Sequence, residues 1–396
     1  FECSHDYNDS HYYVNDDPTM RTWEGYDAFA QAREAARFIR DRAVSDSPYL
    51  LMLSWGPPHF PLETAPPEYR TRYEGREIAL RPNVPPGHEE QARDELRGYY
   101  AHIAALDDAL EIVLQALREA DAEDDTILIV TSDHGDMRQS QGLDTKLFPW
   151  DESIRVPFLL RWPALLGRTA RSLPVPIDTP DHLPTLLGLA GLPIPDSLEG
   201  RDWSALVRGE EEPAGDEAAL LMMAAEFTEL RFNAMSAYRG LRTPRYTYVR
   251  TREAPWLLYD NETDPWQMNN LVTAPVKPPG TDDLLAGLDT ALYERLEALG
   301  DPFEKGATIV ARAGSLPPVP AASYLSGRSP AIGAFTACEE SFPDQCRSRE
   351  GSLGRLTRAI EEAANRAIPD ATWRLESVAT RTAVYGGRRS RGGGAS

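Results

Sequence analysis

Asp133 and His134 stand side by side just after the apolar, β-branched run 126–131 and directly before Gly135. A carboxylate and an imidazole are both metal donors. Successive side chains on a strand point to opposite faces. The pair can share one ion only where the strand stops and the chain turns, and Gly135 permits such a turn. A capped strand-to-loop turn with an unused histidine fits the same residues. Lys146 follows in the next loop. Lys146, Lys277 and Lys305 are the lysines of a chain whose 41 basic residues are otherwise arginine. A compact ammonium beside a metal suits an anionic substrate oxygen; a solvated surface charge is the plainer reading. His59 follows a second apolar run, 49–55, through Gly56-Pro57-Pro58. Prolines at 57, 58 and 61 fix the backbone around it. A rigid histidine at a strand tip can serve as general acid or oxyanion donor, or simply face solvent.

The elements that must position these groups follow from periodicity. Runs 49–55, 126–131 and 156–162 read as buried strands. Tyr26 to Val44 has helical spacing, with Phe29, Ala32, Ala36 and Ile39 on one face, and Ser47-Pro48 breaks it. Leu96 to Leu117 is the clearest helix; His102 and Asp107-Asp108 read as its solvated face. The alternation predicts an α/β fold, a mostly parallel central sheet with helices on both faces. Ligands of such sheets bind beyond the carboxyl ends of the strands, where Asp133 and His59 both fall. Thr179 to Leu189 reads as a helix opened by Pro180. Short strands from Leu220 to Tyr259 predict a small C-terminal antiparallel-sheet subdomain, followed by a helix over 284–299. The expected division is 1–170 for the α/β core, 171–312 for the smaller subdomain and 313–396 for a disordered tail rich in Ser, Gly, Arg and Pro, with a short helix possible at 353–367. Segment 1–24, with His5, His11, Asp6, Asp9, Asp16 and Asp17, reads as a surface loop lining a cleft, since no pair has a recognisable ligand spacing.

The chain has 396 residues and a formal net charge of −21, which argues against nucleic acid or an anionic membrane as the main partner. An anionic substrate must then be captured by a local positive group. No apolar run has the length of a membrane span and there is no signal-peptide pattern. Cys3, Cys338 and Cys346 are too few and scattered for a disulfide framework or zinc cluster. The start at Phe1 leads us to expect a missing or removed N-terminal segment.

The string Thr131-Ser132-Asp133-His134-Gly135-Asp136, then Lys146, then Glu152-Ser153-Ile154-Arg155-Val156-Pro157-Phe158 resembles the C-terminal metal-site segment of the sulfatases, in the alkaline-phosphatase superfamily. Trp55-Gly56-Pro57-Pro58-His59-Phe60-Pro61 is similar to that family's substrate-histidine loop. Tyr238-Arg239-Gly240-Leu241-Arg242-Thr243, Leu257-Leu258-Tyr259-Asp260 and Asp264-Pro265 resemble its C-terminal subdomain. The likeness covers roughly residues 1–300. It implies hydrolysis of a small-molecule or saccharide sulfate ester. It implies Asp133 and His134 as ligands of calcium or another divalent metal, and His59 and Lys146 as catalytic, sulfate-binding groups. Its nucleophile is a formylglycine made from Cys or Ser in Cys/Ser-X-Pro/Ala-X-Arg. Neither Cys3-Ser4-His5-Asp6-Tyr7 nor Cys346-Arg347-Ser348-Arg349-Glu350 fits that pattern. We therefore expect a fragment without its nucleophile segment. A phosphonate or phosphate ester hydrolase of the same superfamily and a non-catalytic remnant are the alternatives.

Overall fold

Ala28, Ala32, Ala35, Ala36 and Ile39 recur at helical spacing and are fully buried. Small residues let the first helix lie close against the long one, whose Ala101, Ala105, Ala109, Val113 and Ala116 form the matching stripe. The computed structural model describes residues 6–309 apart from 16, 46, 227–229, 231 and 307, and the backbone of 373–379 and 382–387. The expected helix over 353–367 lies outside the described residues, as does most of the expected tail.

In chain order the strands and helices are β1 (His11–Val14), β2 (Asp17–Thr22), α1 (Asp27–Arg42), β3 (Tyr49–Leu53), α2 (Pro67–Arg70), α3 (Glu89–Glu119), β4 (Leu128–Thr131), α4 (Asp151–Ile154), β5 (Phe158–Arg161), α5 (Pro163–Leu166), α6 (His182–Leu189), α7 (Ser204–Arg208), β6 (Ala219–Met223), β7 (Tyr238–Arg242), β8 (Tyr246–Thr251), β9 (Pro255–Asp260), α8 (Thr281–Ala298), β10 (Trp373–Ala379) and β11 (Thr382–Gly387). Segment 1–24 carries the β1–β2 ribbon, with β2 exposed throughout.

The four strands between 219 and 260, called here the C-terminal sheet, form an antiparallel sheet in the order β6-β7-β8-β9, as their spacing predicts. Gly240, mid-strand in β7, has no room for a side chain: a Cβ there would lie 2.4 Å from the Tyr248 carbonyl oxygen. Helix α8 covers this sheet through Leu292 and Leu296. A second cluster packs Met137, Leu143, Phe148 and Trp150 against Tyr238, Val249, Leu257 and Tyr259. The loop between β4 and β5 is thus part of the core that the C-terminal sheet builds.

The α/β alternation is present, but no parallel pair is seen among the described strands. Every strand pairing among the described residues is antiparallel, including β4 with β5 and β3 with β11. A parallel pair needs a crossover, usually a helix. The segment joining β4 to β5 contains only the four-residue α4 and the 3₁₀ turn Ser140–Gly142, so the chain returns beside its own strand. β4 is half-buried rather than buried.

Candidate active site

β4 ends at Thr131 and the chain turns at once. Ser132 Oγ donates to the His134 carbonyl at 2.9 Å, and the His134 amide donates to Asp133 Oδ1 at 2.9 Å. The turn brings neighbouring side chains to one side. His134 Nδ1 lies 2.9 Å from the Gly135 carbonyl. A carbonyl only accepts, so Nδ1 carries the proton, and in the neutral ring Nε2 keeps its lone pair. That Nε2 lies 3.5 Å from Asp133 Oδ2. Ligand bonds of about 2.1–2.5 Å at right angles place two donors about 3.0–3.5 Å apart, so this pair has the spacing of two ligands on one cation. The Asp133 side chain is 83% exposed and that of His134 30%, which leaves the pair open to solvent. Among the described residues no third His, Cys, Asp or Glu completes a metal cluster. The donors fit part of a divalent-cation shell.

Glycine at 135 has a different cause from the one the sequence suggests. Its φ is not left-handed. Its amide donates to the Ser153 carbonyl at 2.8 Å, and a Cβ would lie 2.0 Å from the Glu152 carbonyl oxygen. Close approach to α4, not turn geometry, excludes a side chain.

Lys146 is half-buried and has no hydrogen-bond or ion-pair partner among the described residues. Its neighbours Thr145 (φ 57°) and Leu147 (φ 76°) are left-handed, as are Arg138, Gln139 and Gln141 earlier in the loop. Non-glycine residues adopt this conformation only where their surroundings over-determine it. Here Met137 N donates to Thr145 O at 2.6 Å, and Tyr238 Oη donates to Leu147 O at 3.1 Å. Arg242 grips Asp151 with two bonds of 3.0 and 3.1 Å, and the buried Gln267 accepts from the Asp151 amide at 2.9 Å. Asn83 donates to Glu152 at 2.7 Å and to the Trp266 carbonyl at 3.0 Å.

His59 sits between two cis peptide bonds, Pro57–Pro58 and Phe60–Pro61. Its Nδ1 donates to the Phe60 carbonyl at 2.8 Å. Among the described residues no hydrogen bond or ion pair joins His59, Lys146 and the 133/134 pair to one another. They share a scaffold. Tyr7 Oη donates to the Phe60 carbonyl at 3.3 Å, and His102 Nε2 lies 3.3 Å from the Pro61 carbonyl. On the same helix Glu95 accepts from Gln139 Nε2 at 3.0 Å. Seven residues are two turns of α3, about 10 Å along its axis, so one face holds both loops.

His102 is therefore corrected from solvated to buried, with 0% of its surface exposed. Tyr26 Oη donates to its Nδ1 at 2.7 Å. Burial lowers the imidazole pKa to about 4, although the Pro61 hydrogen bond and Glu63 act upward. The aromatic pocket of Tyr7 and Tyr26 explains the error, because both partners come from distant parts of the chain. Asp108 is half-used: it accepts from Tyr69 Oη at 2.6 Å.

Two features escaped the sequence reading. Arg138 and Glu95 carried no motif; the left-handed loop is what exposes them. The signature pattern, sought at cysteines, is matched in its serine form by Ser377-Val378-Ala379-Thr380-Arg381. Ala379 pairs with Thr382, and Thr382 with Leu53, so across β11 the end of β10 lies at the same end of the sheet as the end of β3, which leads to His59.

The family model "Sulfatase" matches residues 3–192, and a model of the C-terminal part of N-sulphoglucosamine sulphohydrolase matches 140–295. The chain is 40% identical over 305 residues to the ulvan-active sulfatase of Formosa agariphila, covering 76% of this chain and 58% of that one. It is 31% identical over 256 residues to the endo-4-O-sulfatase of Bacteroides thetaiotaomicron, covering 59% and 48%. The sulfatase-type protein yidJ of Bacteroides fragilis superposes with a TM-score of 0.67 at 27% identity, over 76% of this chain and 65% of that one. The chain belongs to the sulfatase family, in the alkaline-phosphatase-like superfamily. It spans about half the length of the curated relatives it matches, 58% and 48%.

Proposed function

We propose that this chain supplies metal- and sulfate-binding groups of a sulfuric-ester hydrolase that acts on a sulfated saccharide. The observation that carries this is the Asp133 Oδ2–His134 Nε2 pair, 3.5 Å apart at the end of β4, with an unpaired Lys146 on the same clamped loop. Asp133 and His134 would hold the divalent cation, calcium being the ion that a hard carboxylate favours. Once bound, the cation would neutralise charge on the sulfate oxygens. Lys146 binds a sulfate oxygen as a point charge with three donors. His59, with Nδ1 committed to the Phe60 carbonyl, exchanges a proton with the leaving oxygen through Nε2. No described side chain is assigned as nucleophile.

A mostly parallel central sheet belongs to this reading too, because β3 and β4 both run toward site loops at their carboxyl ends. The saccharide class rests on relatives that are named for ulvan and for endo-4-O-desulfation. Titration of inorganic sulfate and of a sulfated disaccharide, in calcium, compares the wild type with Lys146→Ala. The variant is expected to bind at least about tenfold more weakly, the loss of one charged contact. Equal binding refutes the assignment. Inorganic phosphate, titrated in parallel, separates sulfate from phosphate esters.

A further inference from the structure

The Arg138 guanidinium is the most buried cation beside the site, with 4% of its side chain exposed. Three carboxylates surround it: Asp136 at 2.7 Å, Asp144 at 3.5 Å and Glu95 at 3.8 Å, and it lies over the Tyr99 ring at 5.4 Å. Burial raises the Glu95 pKa, with Asp144 adding to the rise and Arg138 opposing it. A buried ion cluster gains little stability over apolar packing, so its value lies in what it fixes.

Its placement says what that is. Asp136 lies three residues after Asp133, and Asp144 lies two residues before Lys146. One guanidinium thus ties the segment leaving the donor pair to the segment entering Lys146. It also answers the charge of those carboxylates. Without it, Asp136 and Asp144 would face the loop uncompensated, and Lys146 is the nearest other cation in sequence to both. An ammonium on a flexible stem pairs readily with such a carboxylate.

We propose that Arg138 is a positioning residue: by holding Asp136, Asp144 and Glu95 it keeps the Lys146 ammonium from being captured by its own loop and free for an anionic substrate. The proposal rests on the sulfate-binding role of Lys146 given above.

The test is calorimetric titration of inorganic sulfate, in calcium, into the wild type, Lys146→Ala, Arg138→Gln, Asp144→Asn and Arg138→Gln/Asp144→Asn. Arg138→Gln is expected to weaken binding about tenfold, one charge interaction's worth. The double variant is expected to recover most of that loss, which a merely structural defect would not do. If Lys146→Ala binds sulfate as the wild type does, the sulfate-binding role of Lys146 fails, and the proposal with it. If Lys146→Ala weakens binding but Arg138→Gln does not, or if Asp144→Asn restores nothing, the proposal alone fails. Should Arg138→Gln prove unfolded by circular dichroism, Arg138→Lys carries the same test. Its ammonium reaches fewer of the three carboxylates, so a smaller loss restored by Asp144→Asn supports capture, and no loss overturns it.

Discussion

The Gly135 amide meets the Ser153 carbonyl at 2.8 Å, and this contact binds the donor pair to α4. Residues 133–135 follow the end of β4, whereas α4 belongs to the loop that the C-terminal sheet grips through Arg242 and Gln267. The site is therefore held twice: by β4 and by the C-terminal sheet.

Gly135→Ala places a methyl group 2.0 Å from the Glu152 carbonyl oxygen. Backbone must shift to admit it, at a cost of about 2 kcal/mol or more. Urea unfolding is expected to show that loss. Calcium titration is expected to show weaker binding, because Asp133 and His134 move with the glycine.

Arg242 and Asp151 form a two-bonded pair whose side chains are only 15% and 16% exposed. Arg242→Met leaves the carboxylate with Gln267 and the more distant Arg155. Removing one partner of such a pair is expected to cost about 2–4 kcal/mol in urea unfolding. Sulfate affinity is expected to fall as well, since α4 and the Lys146 loop share the same core.

His102 gives stability a pH dependence of known sign. Its folded pKa, about 4, lies below the unfolded value of 6.5. As pH falls below 6.5 the unfolded chain takes up a proton that the folded chain refuses. This contribution is complete above about pH 6.5 and is lost progressively down to about pH 4, roughly 3 kcal/mol in total. Urea midpoints between pH 4 and 7 are expected to fall less steeply for His102→Gln than for the wild type. An unchanged slope would mean that His102 titrates normally.

Much of this was legible in the chain itself. Leu96 to Leu117 announced α3 by its apolar stripe, and the short runs between Leu220 and Tyr259 announced the antiparallel sheet. The juxtaposition of Asp133 and His134 followed from adjacency plus a strand end. Strand direction was not legible, because an alternation of strands and helices does not specify which strands pair. The burial of His102 was hidden for the same reason: Tyr26 and the Pro61 carbonyl reach it from 76 and 41 residues away. Arg138 looked like one more arginine in an arginine-rich chain. Only the left-handed residues Arg138, Gln139, Gln141, Thr145 and Leu147 mark its loop as shaped for a purpose.

Calorimetric titration of calcium into the wild-type chain and into Asp133→Asn/His134→Ala tests the donor pair most directly. One calcium site in the wild type, lost in the double variant while circular dichroism stays unchanged, is the predicted result. A wild type that takes up no calcium, or a folded double variant that binds it equally well, would contradict a cation site at Asp133 and His134.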